Sequence, residues 1–204
     1  MDPAFTENLV RLGSSYYWLM LLTLVLSRGM DALSTRIATP NLVLEGNPIA
    51  KLLGWRWVLA MNAVICIILA VWPFGAIVLS TMSLLVAARN FQSAWLMRSL
   101  GEEAYRAWHI QRIQETQVTL YLLCLAGETG LFAAIGVVII LFSDSVVLLG
   151  IGCGTVAYAG AVVFYILLAR WRLRRVSMRN ARRAAIERGL VSVALPQDPQ
   201  PEGK

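Results

Sequence analysis

Charge is scarce in this sequence. Lys and Arg number 18 and Asp and Glu 12 among 204 residues, so 15% of the chain is charged, where a soluble domain carries about a quarter. Histidine is nearly absent: His109 stands alone. That leaves no His-rich or dinuclear metal site and no convincing Ser/His/Asp arrangement. The three cysteines, Cys66, Cys124 and Cys153, have no pairing motif, so neither a disulfide framework nor a zinc site is indicated. No phosphate-cradling glycine loop appears, no metal is expected, and the residues leave the cofactor unknown. Apolar residues fill the gap, at 58% of the chain, more than one soluble core of this size can hide. A soluble enzyme, a disordered chain and a secreted disulfide scaffold all fit poorly.

The apolar residues fall into five runs, at about 13–36, 55–72, 74–96, 118–142 and 146–169. A bilayer core about 30 Å thick needs roughly 20 apolar helical residues to cross it. Backbone groups in lipid must be satisfied internally, and no run alternates as a barrel strand does, so the runs are predicted helices. The expected fold is an all-α polytopic transmembrane bundle of about five spans. The turns Trp72-Pro73-Phe74-Gly75 and Ser143-Asp144-Ser145 are short and make helical hairpins. The N-terminus lacks a basic start, an apolar run and a small-residue cleavage site, so no cleavable signal peptide is expected.

Seventeen of the eighteen basic residues fall on one side of this arrangement. Four lie between Arg28 and Arg56, four between Arg89 and Arg112, and nine from Arg170 to Lys204; Arg11 alone is opposite. The positive side is cytoplasmic, which puts the N-terminus outside and the C-terminus inside. Trp55, Trp57 and Trp72 suit the two interfacial belts. Outside the membrane remain a short stub and two tiny turns, so any site lies within the bilayer or on the cytoplasmic side.

Beyond residue 169 the chain changes character. Residues 170–188 hold eight Arg and one Glu, a basic cytoplasmic helix running to about 189. Next to a span this is an anchor for anionic lipid, with nucleic acid or an acidic protein as the disfavoured alternatives. The Pro-rich stretch 190–204 is expected to be disordered. Residues 1–169 hold nine basic and nine acidic residues, so the net charge of +6 resides in the tail.

Ionisable groups inside a span are functional candidates by default. In the first run Thr23, Ser27, Asp31 and Thr35 recur every four residues, with Ser34 beside them. Asn62 lies in the second run, Arg89, Asn90, Gln92 and Ser93 in the third, and Glu128 in the fourth. From the helical rise, Asp31, Asn62 and Asn90 lie about 8–12 Å from the inner surface and Glu128 about 15 Å. One polar layer, open to the cytosol, is expected, with Arg89 as counter-charge to Asp31 or Glu128. The plainer reading makes these groups interhelical staples, with Arg28, Arg36 and Arg89 snorkelling.

Asn47-Pro48 is a helix start, Asn capping and Pro at the first position. Glu45, two residues upstream, is not needed for capping. It could join Asp31 in a two-carboxylate cation site with oxygens from Thr35 or Asn47, or pair with Arg36 or Lys51. The sequence Asp31-Ala-Leu-Ser34-Thr35, then Glu45-Gly-Asn47-Pro48, then a late Asn90, resembles a small bacterial and archaeal membrane family of unknown function. Its pattern is Asp and Thr one turn apart, Glu-x-Asn-Pro, and two further hydrophobic spans. The resemblance covers about residues 15–95. It implies that Asp31, Thr35, Glu45, Asn47, Pro48 and Asn90 act as one unit, and it implies no activity. Glu128 falls outside it.

Two other motifs carry less. Gly101-Glu102-Glu103-Ala-Tyr105-Arg106 resembles the paired-glutamate motif of intramembrane CAAX-type proteases, but Arg106 follows Glu103 by three residues instead of four. An interfacial amphipathic helix explains the segment, with Trp108, Ile110 and Ile113 toward lipid. Gly150 and Gly154, with Ala157 and Ala161, make a small-residue face for a partner helix or a second copy.

The expected function is binding of a cation or polar ligand in a cytosol-facing intramembrane pocket, in the service of transport. Asp31 and Glu128 supply charge, Arg89 the counter-charge, and Thr35, Asn47, Asn62 and Asn90 hydrogen bonds. A lipid-headgroup enzyme at the inner leaflet is one alternative, using Arg28, Arg36 and Arg89 for phosphate and Asp31 or Glu45 as base. An accessory subunit of a larger membrane complex, or a homo-oligomer, is the other.

Overall fold

The computed structural model describes residues 9–44 and 48–187. All regular structure among them is helical: α1 (Ser15–Ala38), α2 (Pro48–Leu69), α3 (Pro73–Leu100), α4 (Glu102–Glu115), α5 (Val118–Leu141) and α6 (Val146–Glu187). Three helices are long and apolar enough to cross a membrane: α3, α5 and the Val146–Arg172 part of α6. The first two expected spans do not join them, for separate reasons. α1 has 24 residues, but Arg28, Asp31 and Arg36 dilute its apolar run. α2 is broken at Gly54, whose φ of 72° is non-helical, and the apolar remainder Gly54–Leu69 is short of a bilayer's thickness.

Local chemistry sets the ends. Ser14 caps α1, its Oγ accepting the Tyr17 N–H at 3.2 Å. Pro73 opens α3, where its missing N–H would have no partner anyway. Gly101, at φ 81°, separates α3 from α4 in a conformation that favours glycine.

The chain divides into two compact units after Phe164. In the first unit α1 lies along α3. Arg28 meets Ser83 and Thr35 meets Asn90, so positions rise together and the helices run parallel. α2 runs antiparallel to α1: Tyr17 reaches Ile67 and Arg28 reaches Asn62. At one end an apolar cluster of Tyr17, Leu24, Cys66, Ala70 and Ala76 joins the three helices, and the Val10 N–H donates to Val71 O at 2.8 Å.

The seam between α1 and α3 is built of small residues. Buried positions on α1 include Leu24, Ser27, Ser34 and Ala38, and on α3 Ala76, Ser80, Ser83, Ala87 and Ala94. Steps of three and four residues keep one stripe facing the neighbour, and small side chains let the backbones approach. The glycines of α6 act the same way within the chain. A Cβ on Gly154 would stand 2.7 Å from Val78 O of α3, and one on Gly152 would stand 2.8 Å from Gly136 O of α5. Gly150 and Gly154 therefore face a partner helix of the same chain.

In the second unit the arginine-rich end of α6 continues as helix to Glu187, and the Arg175 guanidinium sits 3.6 Å over the Trp171 ring. The expected disordered stretch 190–204 lies outside the described residues.

Candidate functional site

The polar residues of the first unit gather around Arg28. Its Nη1 donates to Asp31 Oδ2 at 2.9 Å and to Ser83 Oγ at 3.1 Å. Its Nε donates to Asn62 Oδ1 at 2.9 Å, and Nη2 donates to the same oxygen. One guanidinium thus ties α1, α2 and α3 together. Its planar fork of five N–H donors suits this role, which a lysine ammonium could not fill with the same geometry. The side chains of Arg28 and Asp31 are 23% and 19% exposed, so the pair is sheltered yet reachable.

A second polar layer lies farther along α1 and α3. Asn90 Nδ2 donates to Thr35 Oγ1 at 3.1 Å and to Ser34 Oγ at 3.3 Å, while Ser34 Oγ donates to Asp31 O at 2.9 Å. Seven residues separate Ser83 from Asn90, about 10 Å along α3. Arg28, Asp31, Asn62, Ser83, Asn90, Ser34 and Thr35 therefore form a continuous polar track, not one flat layer.

The track leads toward a latched loop. The Glu102 carboxylate, in the first turn of α4, accepts from Thr39 Oγ1 at 2.6 Å, from the Asn41 N–H and Nδ2 at 3.0 Å each, and from the Val43 N–H at 3.2 Å. Burial works to raise the pKa of this carboxyl, but the hydrogen bonds outweigh it and hold the pKa below its ordinary value. Trp55 Nε1 donates to Pro40 O at 2.9 Å and closes the other side of the loop. Farther along α4, Tyr105 is buried and stacks on His109 at 5.7 Å. Burial raises the pKa of the phenol and lowers that of the imidazole.

The expected site residues thus separate into three sets. Asp31, Thr35, Asn62 and Asn90 share the track. Arg89 and Glu128 stand apart from it as their own ion pair, Nη1 to Oε1 at 2.7 Å, between α3 and α5. Arg89 is therefore the counter-charge of Glu128, and Arg28 that of Asp31. Glu45 and Asn47 lie outside the described residues. Among the described residues no three His, Cys, Asp or Glu side chains converge as a metal site.

Ser83 and Glu102 were not among the expected site residues, and Arg28 was expected only as a phosphate ligand in the enzyme alternative. Arg28 carries a signal in hindsight: it precedes Asp31 by three, which places the two charges on one helix face. Ser83 precedes Asn90 by seven, two turns along the same face. For Glu102 the sequence offers nothing, because its partners lie 59 to 63 residues away.

No family model, curated protein or solved structure matches this chain.

Proposed function

We propose that the protein is a five-span integral membrane protein of a bacterial or archaeal inner membrane that binds a small polar solute carrying an anionic group. The N-terminus faces outward and the basic C-terminal helix lies against anionic lipid on the cytoplasmic side. The one-sided distribution of Lys and Arg supports this orientation. α1, at 24 residues, is about 36 Å long and reaches across a bilayer, with Arg28 and Asp31 turned into the bundle and Arg36 exposed in its last turn.

One observation carries the binding reading: the Arg28 guanidinium, held by Asp31, Asn62 and Ser83 where three helices meet. Ion pairs of this kind seldom add stability over apolar packing of the same volume. A charged pair in a membrane segment is therefore a candidate for function. A cation approaching Asp31 has to displace Arg28. A carboxylate or phosphate competes for Arg28 directly, and Asn90 and Thr35 supply hydrogen bonds along the track toward the cytosol. Binding there serves transport. The resemblance of residues 15–95 to a membrane family with an Asp-Thr and Glu-x-Asn-Pro pattern is compatible with this and assigns no activity.

The test is a thermal-shift series on purified protein in detergent with small carboxylates, inorganic phosphate, and mono- and divalent cations. At least one anion is expected to raise the melting temperature of the wild type and to leave Arg28→Gln unmoved. Stabilisation by cations alone, lost in Asp31→Asn and kept in Arg28→Gln, would reverse the reading, and a flat response to every probe would sink it.

A further inference from the structure

The outer face of α5 carries a packing seam that no helix of the described chain covers. Leu120, Cys124, Gly127, Leu131, Ala134 and Val138 follow one another in steps of four and three residues, and all six are exposed. That alternation keeps a stripe on one side of a helix, and the covered seam of α1 uses it too, through Leu24, Ser27, Asp31, Ser34 and Ala38. At Gly127 an added Cβ would meet nothing within 4 Å, so no neighbour in the chain accounts for the missing side chain. Small residues in membrane helices permit close approach of another helix, and lipid tails make no such demand.

Charge identifies the partner. Glu128 borders this seam ten residues into an apolar helix, about 15 Å from its start. Its ion pair with Arg89 leaves the two side chains 44% and 36% exposed. Half-uncovered charge at that depth is expensive in lipid. The face presents one positive and one negative group side by side, so it is complementary to itself. A two-fold axis along the membrane normal brings Glu128 of one copy toward Arg89 of the other at equal depth. A different protein would have to offer both signs at that same depth; a second copy does so by symmetry.

We infer that the outer face of α5 is a homodimer interface, with Cys124, Gly127, Leu131 and Ala134 in the contact and the Arg89–Glu128 pairs of the two copies joined in one four-charge cluster. The inference stands independently of solute binding at Arg28. Cys124 lies on the contact line, Cys66 is buried and Cys153 half-buried, which supplies a direct probe.

The experiment uses the full chain in phosphatidylethanolamine–phosphatidylglycerol vesicles at low protein-to-lipid ratio, oxidised with copper phenanthroline. A disulfide-linked dimer is expected. It disappears in Cys124→Ser and does not return when Leu122→Cys, exposed on another side of α5, is added to that variant. Gly127→Leu, which meets open space within its own chain, reduces the cross-link at least tenfold while helical content stays unchanged. Ala134→Phe does the same, and Glu128→Lys weakens the cross-link. A monomeric mass by light scattering, equal cross-linking through Leu122→Cys, or a cross-link untouched by both Gly127→Leu and Ala134→Phe would overturn the inference.

Discussion

Of the three arginine–carboxylate pairs among the described helices, Arg112–Glu115 lies on the exposed face of α4, and the two within the packed helices are held in different ways. Arg28–Asp31 is formed within one helix turn and then pinned by Asn62 from α2 and Ser83 from α3. Arg89–Glu128 joins two helices, is about twice as exposed, and has no third side chain bound to it among the described residues. The first pair is a hub and the second a single clasp. The hub needs its full hydrogen-bond set because three helices depend on it. The clasp leaves its outer surface available, which suits an interface between copies.

The sharpest way to break this contrast is to remove the hub. Arg28→Ala leaves Asp31 and Asn62 sheltered without the cation that joins them. It is expected to lower stability by about 3 kcal/mol, the lower part of the range for breaking a buried pair, since this pair is partly exposed. Unfolding in a graded denaturing-detergent series would measure it. Replacing both partners, Arg28→Met with Asp31→Leu, is expected to recover most of that loss, because well-packed apolar side chains do as well as a buried pair. Recovery of stability without recovery of anion response would separate binding from folding. Failure to recover would mean that the hub is there for the fold.

The clasp is expected to be weaker. Glu128→Gln keeps the shape of the side chain and removes the charge, with an expected loss of about 1 kcal/mol in the same assay, within the range for polar contacts between membrane helices. Asn90→Ala, which removes two neutral hydrogen bonds from the track, is expected to cost about 0.6 kcal/mol. If Glu128→Gln proves as damaging as Arg28→Ala, the distinction between hub and clasp fails.

The contrast also shows what the residues disclosed by themselves. Helices long and apolar enough to span at α3, α5 and α6 follow from the apolar runs, and the turns before Pro73 and Val146 from the proline at one break and Ser143-Asp144-Ser145 at the other. Polar residues in α1 made it the candidate helix, but a four-residue spacing does not hold one face over three turns. At 3.6 residues per turn, steps of four drift by about 40° each, so Thr23 and Thr35 lie about 120° apart. Thr23 is accordingly only half-buried and bonded to its own helix at Leu19 O, whereas Ser27 and Ser34 are buried. Depth from the helical rise put Asp31 and Asn62 at one level, and Arg28 bonds both. Depth could not assign rotational position, and that is what sends Glu128 to Arg89 and away from the track. Arg89 was expected to pair with Asp31 or Glu128, and depth alone left both open; the observed pairs are Arg89–Glu128 and Arg28–Asp31.

The smallest expected effect lies outside the spans, at the loop that closes the track. Glu102 holds this loop through two backbone N–H groups and two side chains, and those bonds depress its pKa. A depressed carboxyl stabilises the folded loop above its ordinary titration range, about pH 4.3, and the contribution fades as pH falls through the lower folded value. Hydrogen exchange at the Asn41 and Val43 amides is the direct reading. After correction for intrinsic exchange, protection is expected to be flat from pH 7 to 5 and to drop only below pH 4. Glu102→Ala is expected to lose that protection already at pH 7, with the Arg28 hub and the cross-link through Cys124 unchanged. If opening this loop also abolishes the anion response at Arg28, the latch and the hub act as one site. If the response persists, the loop is a support at the end of α1, and the hub binds on its own.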